Sequence, residues 1–244
     1  MKLSVPILAI FLTSCSYLPE PIPRESNIKT DETPDYIKIS PSFENVTNKG
    51  IIFYPGGLVD PHAYIPTFDE LIVKDSIDLF ILKSPANLSI LNSGYSKEII
   101  NSFPEYDRWY IGGHSLGGSV ACMDIEANPE SFEGAFLLAS YSVNDISNSE
   151  VPILSLTGSE DLVIDQNNFN ENKKNLPTEV TISDSSLFPN FSTIDSTIYF
   201  EIPGGNHAQF GGYGFQKGDG TALISLEEQH SFVTALLSKF LKNN

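Results

Sequence analysis

Apolar residues along the chain fall in short dense runs separated by longer stretches of helical spacing. Gly50-Ile51-Ile52-Phe53-Tyr54 is uninterrupted and stops at Pro55-Gly56-Gly57, the pattern of a strand buried on both faces that ends in a sharp turn. Residues 77–82, 108–111, 134–139, 151–156 and 196–202 read the same way, and residues 36–40 alternate like a half-buried edge strand. Residues 63–73, 95–103 and 117–128 read as helices. Residues 225–241 close the chain as an amphipathic helix whose inner side draws on Leu226, Phe232, Leu236, Leu237, Phe240 and Leu241. Strands alternating with helices, with the strands nearly continuous in apolar residues, predict an α/β domain: a mostly parallel sheet with helices on both faces. A length of 244 residues suits one such domain. Thr181 to Asp195 is the longest irregular stretch and reads as a long loop or flap.

The first residues follow a different pattern. Lys2 precedes ten mainly apolar residues, about half of the ~20 that a spanning helix needs, and small residues follow. A basic start, a short apolar stretch and small residues are the layout of an export signal, assigned to residues 1–14. Leu12-Thr13-Ser14-Cys15 resembles the lipobox of bacterial lipoproteins. That resemblance implies lipidation of Cys15 as the first mature residue and a stable membrane anchor, since two or more acyl chains resist dissociation. With Ser16 next, it also implies the outer membrane of a Gram-negative cell envelope. Pro19, Pro21, Pro23 and Pro34 then punctuate a polar stretch, so residues 15–35 read as a lipidated tether and residues 36–244 as the domain.

Charge narrows the partners. Fourteen basic against 31 acidic residues give a net charge of −17, which repels phosphate backbones and argues against nucleic acid. With Cys15 lipidated, Cys122 is the remaining cysteine; it falls on the helix with Val120 and Ala121 and reads as a small buried apolar residue.

The chemistry lies in Gly112-Gly113-His114-Ser115-Leu116-Gly117-Gly118. It follows an apolar strand, precedes a helical run and matches the G-x-S-x-G elbow, in which a strained turn lifts the serine Oγ clear of both elements. A serine hydroxyl needs a base, and the base needs an orienting acid. Of the four histidines, His62 precedes the serine, His114 adjoins it and His230 lies in the last helix. His207, in Gly204-Gly205-Asn206-His207-Ala208, follows a strand and fits the base. Asp161, in Thr157-Gly158-Ser159-Glu160-Asp161-Leu162, fits the acid, with Glu160 the competitor and Asp165 behind it. An oxyanion hole needs two backbone donors. The Leu116 N–H supplies one, and the N–H of Gly57 or Leu58 the other. No metal or organic cofactor is implied, because the histidines are scattered, no Cys/His ligand spacing occurs and no phosphate-binding glycine loop is followed by lysine.

Four segments in this order, YPGGLVDPHAY, GGHSLGGSVA, TGSEDLV and GGNHAQFGGYGFQKGDG, resemble the small α/β-hydrolases related to dienelactone hydrolase over most of residues 50–232. The resemblance implies the α/β-hydrolase fold and the roles just given to Ser115, Asp161 and His207. With eleven residues between Ala139 and Val151, where this fold usually inserts its cap, no large cap is expected. Two departures stand out. Dienelactone hydrolases proper carry a cysteine nucleophile where this chain has Ser115, so their substrate does not carry over, and Gly212 stands where they carry an acidic residue. The expected activity is cleavage of a small-molecule ester or related acyl substrate. A thioesterase, a peptidase and a non-catalytic envelope lipoprotein that binds a ligand in the same pocket are the alternatives.

Overall fold

The computed structural model describes residues 16–23, 27–43, 47–181 and 196–243. Its strands are β1 (Ile28–Glu32), β2 (Tyr36–Pro41), β3 (Lys49–Tyr54), β4 (Asp78–Leu82), β5 (Arg108–His114), β6 (Gly134–Leu138), β7 (Ile153–Gly158), β8 (Thr178–Thr181) and β9 (Ser196–Ile202). They form one sheet in the order β1-β2-β4-β3-β5-β6-β7-β9-β8. β2 is antiparallel to both β1 and β4, and every other pairing is parallel.

The strands are apolar throughout because both faces are covered. In β3, Ile51 and Phe53 point into a core with Tyr110, Phe136 and Leu154, closed by α1 (Ile65–Asp75) and α5 (Leu226–Asn243). Ile52 and Tyr54 point into a second core with Ile111, Leu137 and Ile153, closed by α2 (Ser96–Ser102), α3 (Leu116–Ala127) and Phe169 of α4 (Gln166–Asn172). Adjacent positions thus serve opposite cores, as a period of two requires. α5 starts with a reciprocal cap: Ser225 Oγ accepts the Glu228 N–H (3.1 Å), and the Glu228 carboxylate accepts the Ser225 N–H (2.7 Å). Among the described residues no helix is long and apolar enough to cross a membrane. The β6–β7 connection, residues 139–152, carries neither helix nor strand, so no large cap is inserted there.

Three sequence expectations shift. Residues 28–32, assigned to the tether, form a strand of the sheet, so the ordered domain begins before residue 36 and β2 is internal rather than at the edge. β1 is polar because an outer antiparallel strand is held by its backbone; Ile28 alone packs on the core. The proline stretch is also stapled down. The Tyr17 N–H donates to the Leu58 carbonyl (2.8 Å), the Asp60 N–H to the Tyr17 carbonyl (2.9 Å) and the Glu20 N–H to the Gly212 carbonyl (2.8 Å). β8 and α4 are additions. Each is short and polar, and α4 buries only Phe169, too little for a periodic signal. Cys15 and most of the stretch from Thr181 to Asp195 lie outside the described residues.

Candidate active site

Parallel strands deliver all their following loops to one edge of the sheet, and the residues singled out above converge there. Ser115 sits between β5 and α3 with φ 52° and ψ −122°, a conformation that costs about 1–3 kcal/mol for a non-glycine residue. The surroundings hold it. Its N–H donates to the Leu138 carbonyl (2.9 Å), and its carbonyl accepts the Ser140 hydroxyl (2.6 Å). The glycines flanking the elbow are steric necessities. A Cβ on Gly113 would strike the backbone of Gly117, and one on Gly117 would strike the Tyr54 and Pro55 carbonyls. The elbow is therefore wedged against the end of β3 as well as against its own strand.

His207 follows β9 and Asp161 follows β7. The imidazole Nδ1 lies 2.8 Å from Asp161 Oδ2, with both side chains almost wholly buried. The other oxygen of Asp161 accepts the N–H groups of Val163 and Ile164, each at 2.9 Å. An acceptor so occupied fixes the tautomer of His207: Nδ1 carries the proton, and Nε2 presents its lone pair. Nε2 is buried and has no hydrogen-bond partner among the described residues. The two competing carboxylates are employed elsewhere. Glu160 accepts from the Ser159 hydroxyl (3.0 Å), and Asp165 caps α4 by accepting the Asn168 N–H (2.9 Å).

The loop after β3 accounts for its own donors. Pro55 has none. The Gly56 N–H donates to the Tyr64 hydroxyl (2.9 Å), the Leu58 N–H to the Asn87 carbonyl (2.7 Å) and the Val59 N–H to the Gly56 carbonyl (3.2 Å). Among the described residues no acceptor takes the Gly57 N–H. A Cβ on Gly57 would touch the Leu116 side chain at 3.4 Å, so this residue adjoins the first turn of α3.

Ser115, Leu116 and His207 line one cleft of about 390 Å³, whose remaining wall is mainly apolar and includes Ile90, Met123, Val143, Val163 and Ile164. A larger depression of about 510 Å³ beside Pro129, Glu133 and Val151 lies at the opposite edge of the sheet, away from these groups.

Four supporting residues carry no sequence signal of their own. Tyr64 accepts from Gly56 and is hydrogen-bonded to His114 Nδ1 (2.8 Å), tying the β3 loop to the elbow strand. Asp219 accepts the Ala208 and Gly220 N–H groups, each at 2.8 Å, with longer contacts of 3.4 Å to the N–H groups of His207 and Leu162. It thereby links the two loops that carry His207 and Asp161. Gln229 of α5 is fully buried and grips Asn206 at both its N–H (3.0 Å) and its carbonyl (2.9 Å). Ser140 holds the elbow carbonyl. Each makes a side-chain bond to a distant backbone, which no spacing rule encodes.

Burial, and after it the neighbouring His207, hold the pKa of His114 well below the usual histidine value. Burial pushes the Cys122 thiol up to about 12, which suits an inert packing residue. His62 is half-buried on the surface between Asp60 and Glu32. Among the described residues no group of three or more His, Cys, Asp or Glu side chains is arranged to hold a metal ion.

The model of the alpha/beta hydrolase family matches residues 50–185 and 190–231 of this chain. The chain belongs to the α/β-hydrolase family. Solved structures extend the likeness at the level of fold. A protein described as a predicted CIB-like hydrolase from Thermoplasma acidophilum superposes with a TM-score of 0.57 at 13% identity, over 86% of this chain and 99% of its own. An alpha/beta hydrolase enzyme from the metagenome of lagoon sediments at Mar Chica, Morocco, gives 0.59 at 12% identity, over 88% and 98%. No curated protein matches the chain in sequence. As an α/β-hydrolase it is a hydrolase by family, with the elbow, His207 and Asp161 on the loops after β5, β9 and β7.

Proposed function

We propose that this α/β-hydrolase cleaves carboxylic esters through an acyl-enzyme on Ser115. One observation carries the reading: a buried His207, oriented by Asp161 at 2.8 Å, leaves its Nε2 unpartnered and lines the same cleft as Ser115. In the reaction Ser115 Oγ attacks the acyl carbon while its proton passes to His207 Nε2. The tetrahedral oxyanion takes hydrogen bonds from the N–H groups of Leu116 and Gly57. Gly57 is preferred to Leu58, whose N–H is already engaged by Asn87. Removing one such donor typically costs about 10²–10³ in kcat. His207 returns the proton to the departing alkoxide, and the alcohol leaves. Water then attacks the acyl carbon by the same route in reverse and releases the acid with Ser115 restored. The apolar wall of the cleft favours an aliphatic acyl group, and Asp161 stabilises the imidazolium that forms at each step.

A fluorophosphonate probe tests the nucleophile. Wild-type protein is expected to be labelled and Ser115→Ala to resist labelling. Well-folded wild type that fails to react would leave a pocket that binds without turnover. Parallel assays with p-nitrophenyl acetate and an acyl thioester then decide between the two acyl types.

The same reading places the enzyme in the cell envelope, lipid-anchored to a bacterial membrane through Cys15. It rests on the lipobox resemblance of residues 12–15. Metabolic labelling with radioactive palmitate should mark wild type and not Cys15→Ala.

A further inference from the structure

Large apolar side chains are unevenly distributed over this surface. Leu18, Leu91, Val143, Leu162, Phe215 and Leu223 are each 60–82% exposed, and Ile90 at 44% adds to them. All seven belong to segments at the edge of the sheet where the cleft opens. Leu91 follows β4, Val143 follows β6, Leu162 follows β7, and Phe215 and Leu223 follow β9. Leu18 is next to Tyr17, which bridges Val59 beyond the end of β3. Of the exposed large apolar residues described, only Phe43 (47%) sits at the other edge, beyond the end of antiparallel β2. The segments around the cleft also touch one another. The Tyr17 and Tyr213 rings are 5.3 Å apart, and the Leu162 N–H meets Asp219 at 3.4 Å. Exposed apolar surface of this extent, gathered at one edge, marks a contact site.

What that contact is follows from where the chain comes from. Ser16 lies against Asn87, with Asn87 Nδ2 3.5 Å from its hydroxyl, and Tyr17 is bonded to Leu58 and Asp60. One peptide bond separates Cys15 from Ser16, about 3.8 Å between Cα atoms. A lipid on Cys15 would therefore be tied to the rim of the cleft with no slack to let the domain turn over. We infer that the cleft edge is a bilayer-docking surface: the apolar rim enters the boundary between headgroups and acyl chains, and the cleft opens onto ester bonds at that depth. The net charge of −17, with Asp145 and Glu160 among the rim loops, selects a zwitterionic bilayer over an anionic one.

The inference rests on the envelope-anchored reading, and the experiment separates the two. Full-length protein carrying Leu91→Cys, Phe215→Cys or Phe43→Cys is labelled with an environment-sensitive fluorophore and reconstituted into phosphatidylcholine vesicles containing doxyl-labelled lipid. Quenching is expected at positions 91 and 215, at least threefold stronger than at 43. Equal quenching at all three, or none at 91 and 215, would overturn docking whatever the enzyme hydrolyses. Palmitate labelling scores the anchor independently. If Cys15 proves unacylated, the same quenching comparison with added vesicles still decides docking. In a second arm, Leu18→Asp/Leu91→Asp/Phe215→Asp should slow hydrolysis of a vesicle-embedded long-chain ester at least tenfold. Hydrolysis of p-nitrophenyl acetate should stay within twofold. Equal loss on both substrates, or on neither, would count against the inference.

Discussion

Two histidines stand side by side at the end of β5 and after β9, with ring centroids 4.6 Å apart, and they do opposite things. Both are buried, and among the described residues neither Nε2 has a hydrogen-bond partner. The difference lies at Nδ1. His207 meets a carboxylate there, so Nδ1 is the donor and Nε2 keeps its lone pair in the cleft that Ser115 also lines. His114 meets no carboxylate; its Nδ1 is hydrogen-bonded to the neutral Tyr64 hydroxyl, which also accepts the Gly56 N–H. A neutral hydroxyl serves either tautomer, so nothing behind His114 orients its proton as Asp161 orients that of His207. Burial and proximity to Ser115 do not distinguish the two rings; the partner behind each ring does.

The largest expected effect tests that distinction directly. His207→Ala should lower kcat/KM for a p-nitrophenyl ester by about 10⁴-fold or more, with circular dichroism unchanged, because base and nucleophile act as a unit. His114→Ala should retain more than a tenth of the activity while lowering the unfolding midpoint in urea. Similar losses of turnover at the two positions would erase the contrast. Asp161→Asn removes the acceptor that fixes His207 and should cost about 10⁴ in kcat. Glu160→Gln, whose carboxylate reaches only Ser159, should stay within twofold.

How much of this contrast was legible in the sequence differs by kind of interaction. Ser115, His207 and Asp161 stood out because the elbow, the glycines and the strand–loop order are local or topological signals. The strand–helix alternation likewise gave the parallel sheet. What the sequence could not resolve depends on contacts between distant segments. Whether Gly57 or Leu58 keeps a free N–H turns on the Asn87 carbonyl, which lies on the loop after β4. The partner of His114 is Tyr64, and the link between the loops of Asp161 and His207 is Asp219. β1 escaped because a polar outer strand carries no alternation to read.

The third buried histidine extends the comparison to stability. His230 of α5 packs against Thr67 of α1, and burial lowers its pKa to about 4, with the backbone of Gln209 and Pro66 and then Glu227 opposing the shift. Asp69 and Glu70 line the same groove. The folded value lies below the unfolded 6.5, so the folded state favours the neutral ring. That stability is complete above pH 6.5 and drains as pH falls toward 4, because the unfolded chain binds the proton first. About 2–3 kcal/mol should be lost by pH 4.5 from this group, and His114 acts in the same direction. Urea unfolding at pH 7 and pH 4.5 should show a smaller loss for His230→Gln than for wild type. An unchanged difference would place the acid sensitivity elsewhere.

The mildest loss is the most discriminating. Tyr64→Phe keeps the ring that packs against Phe53, 4.9 Å between centroids, and removes only the hydroxyl. The Gly56 N–H then loses its acceptor and His114 Nδ1 its partner, inside a region without water access. Leaving such groups unsatisfied costs about 1–3 kcal/mol, so the urea midpoint should fall accordingly. The effect on catalysis should be under tenfold and confined to kcat. Tyr64 hydrogen-bonds to Gly56 and His114, not to Ser115 or His207, and it holds the loop whose Gly57 N–H is assigned to the oxyanion. A loosened loop weakens the transition state and leaves ground-state binding in the apolar cleft alone. If KM rises while kcat holds, the β3 loop contributes to substrate binding and the oxyanion donor must be sought elsewhere. If activity collapses as far as in His207→Ala, then His114 takes part in the proton transfer, and the two histidines are one device rather than two.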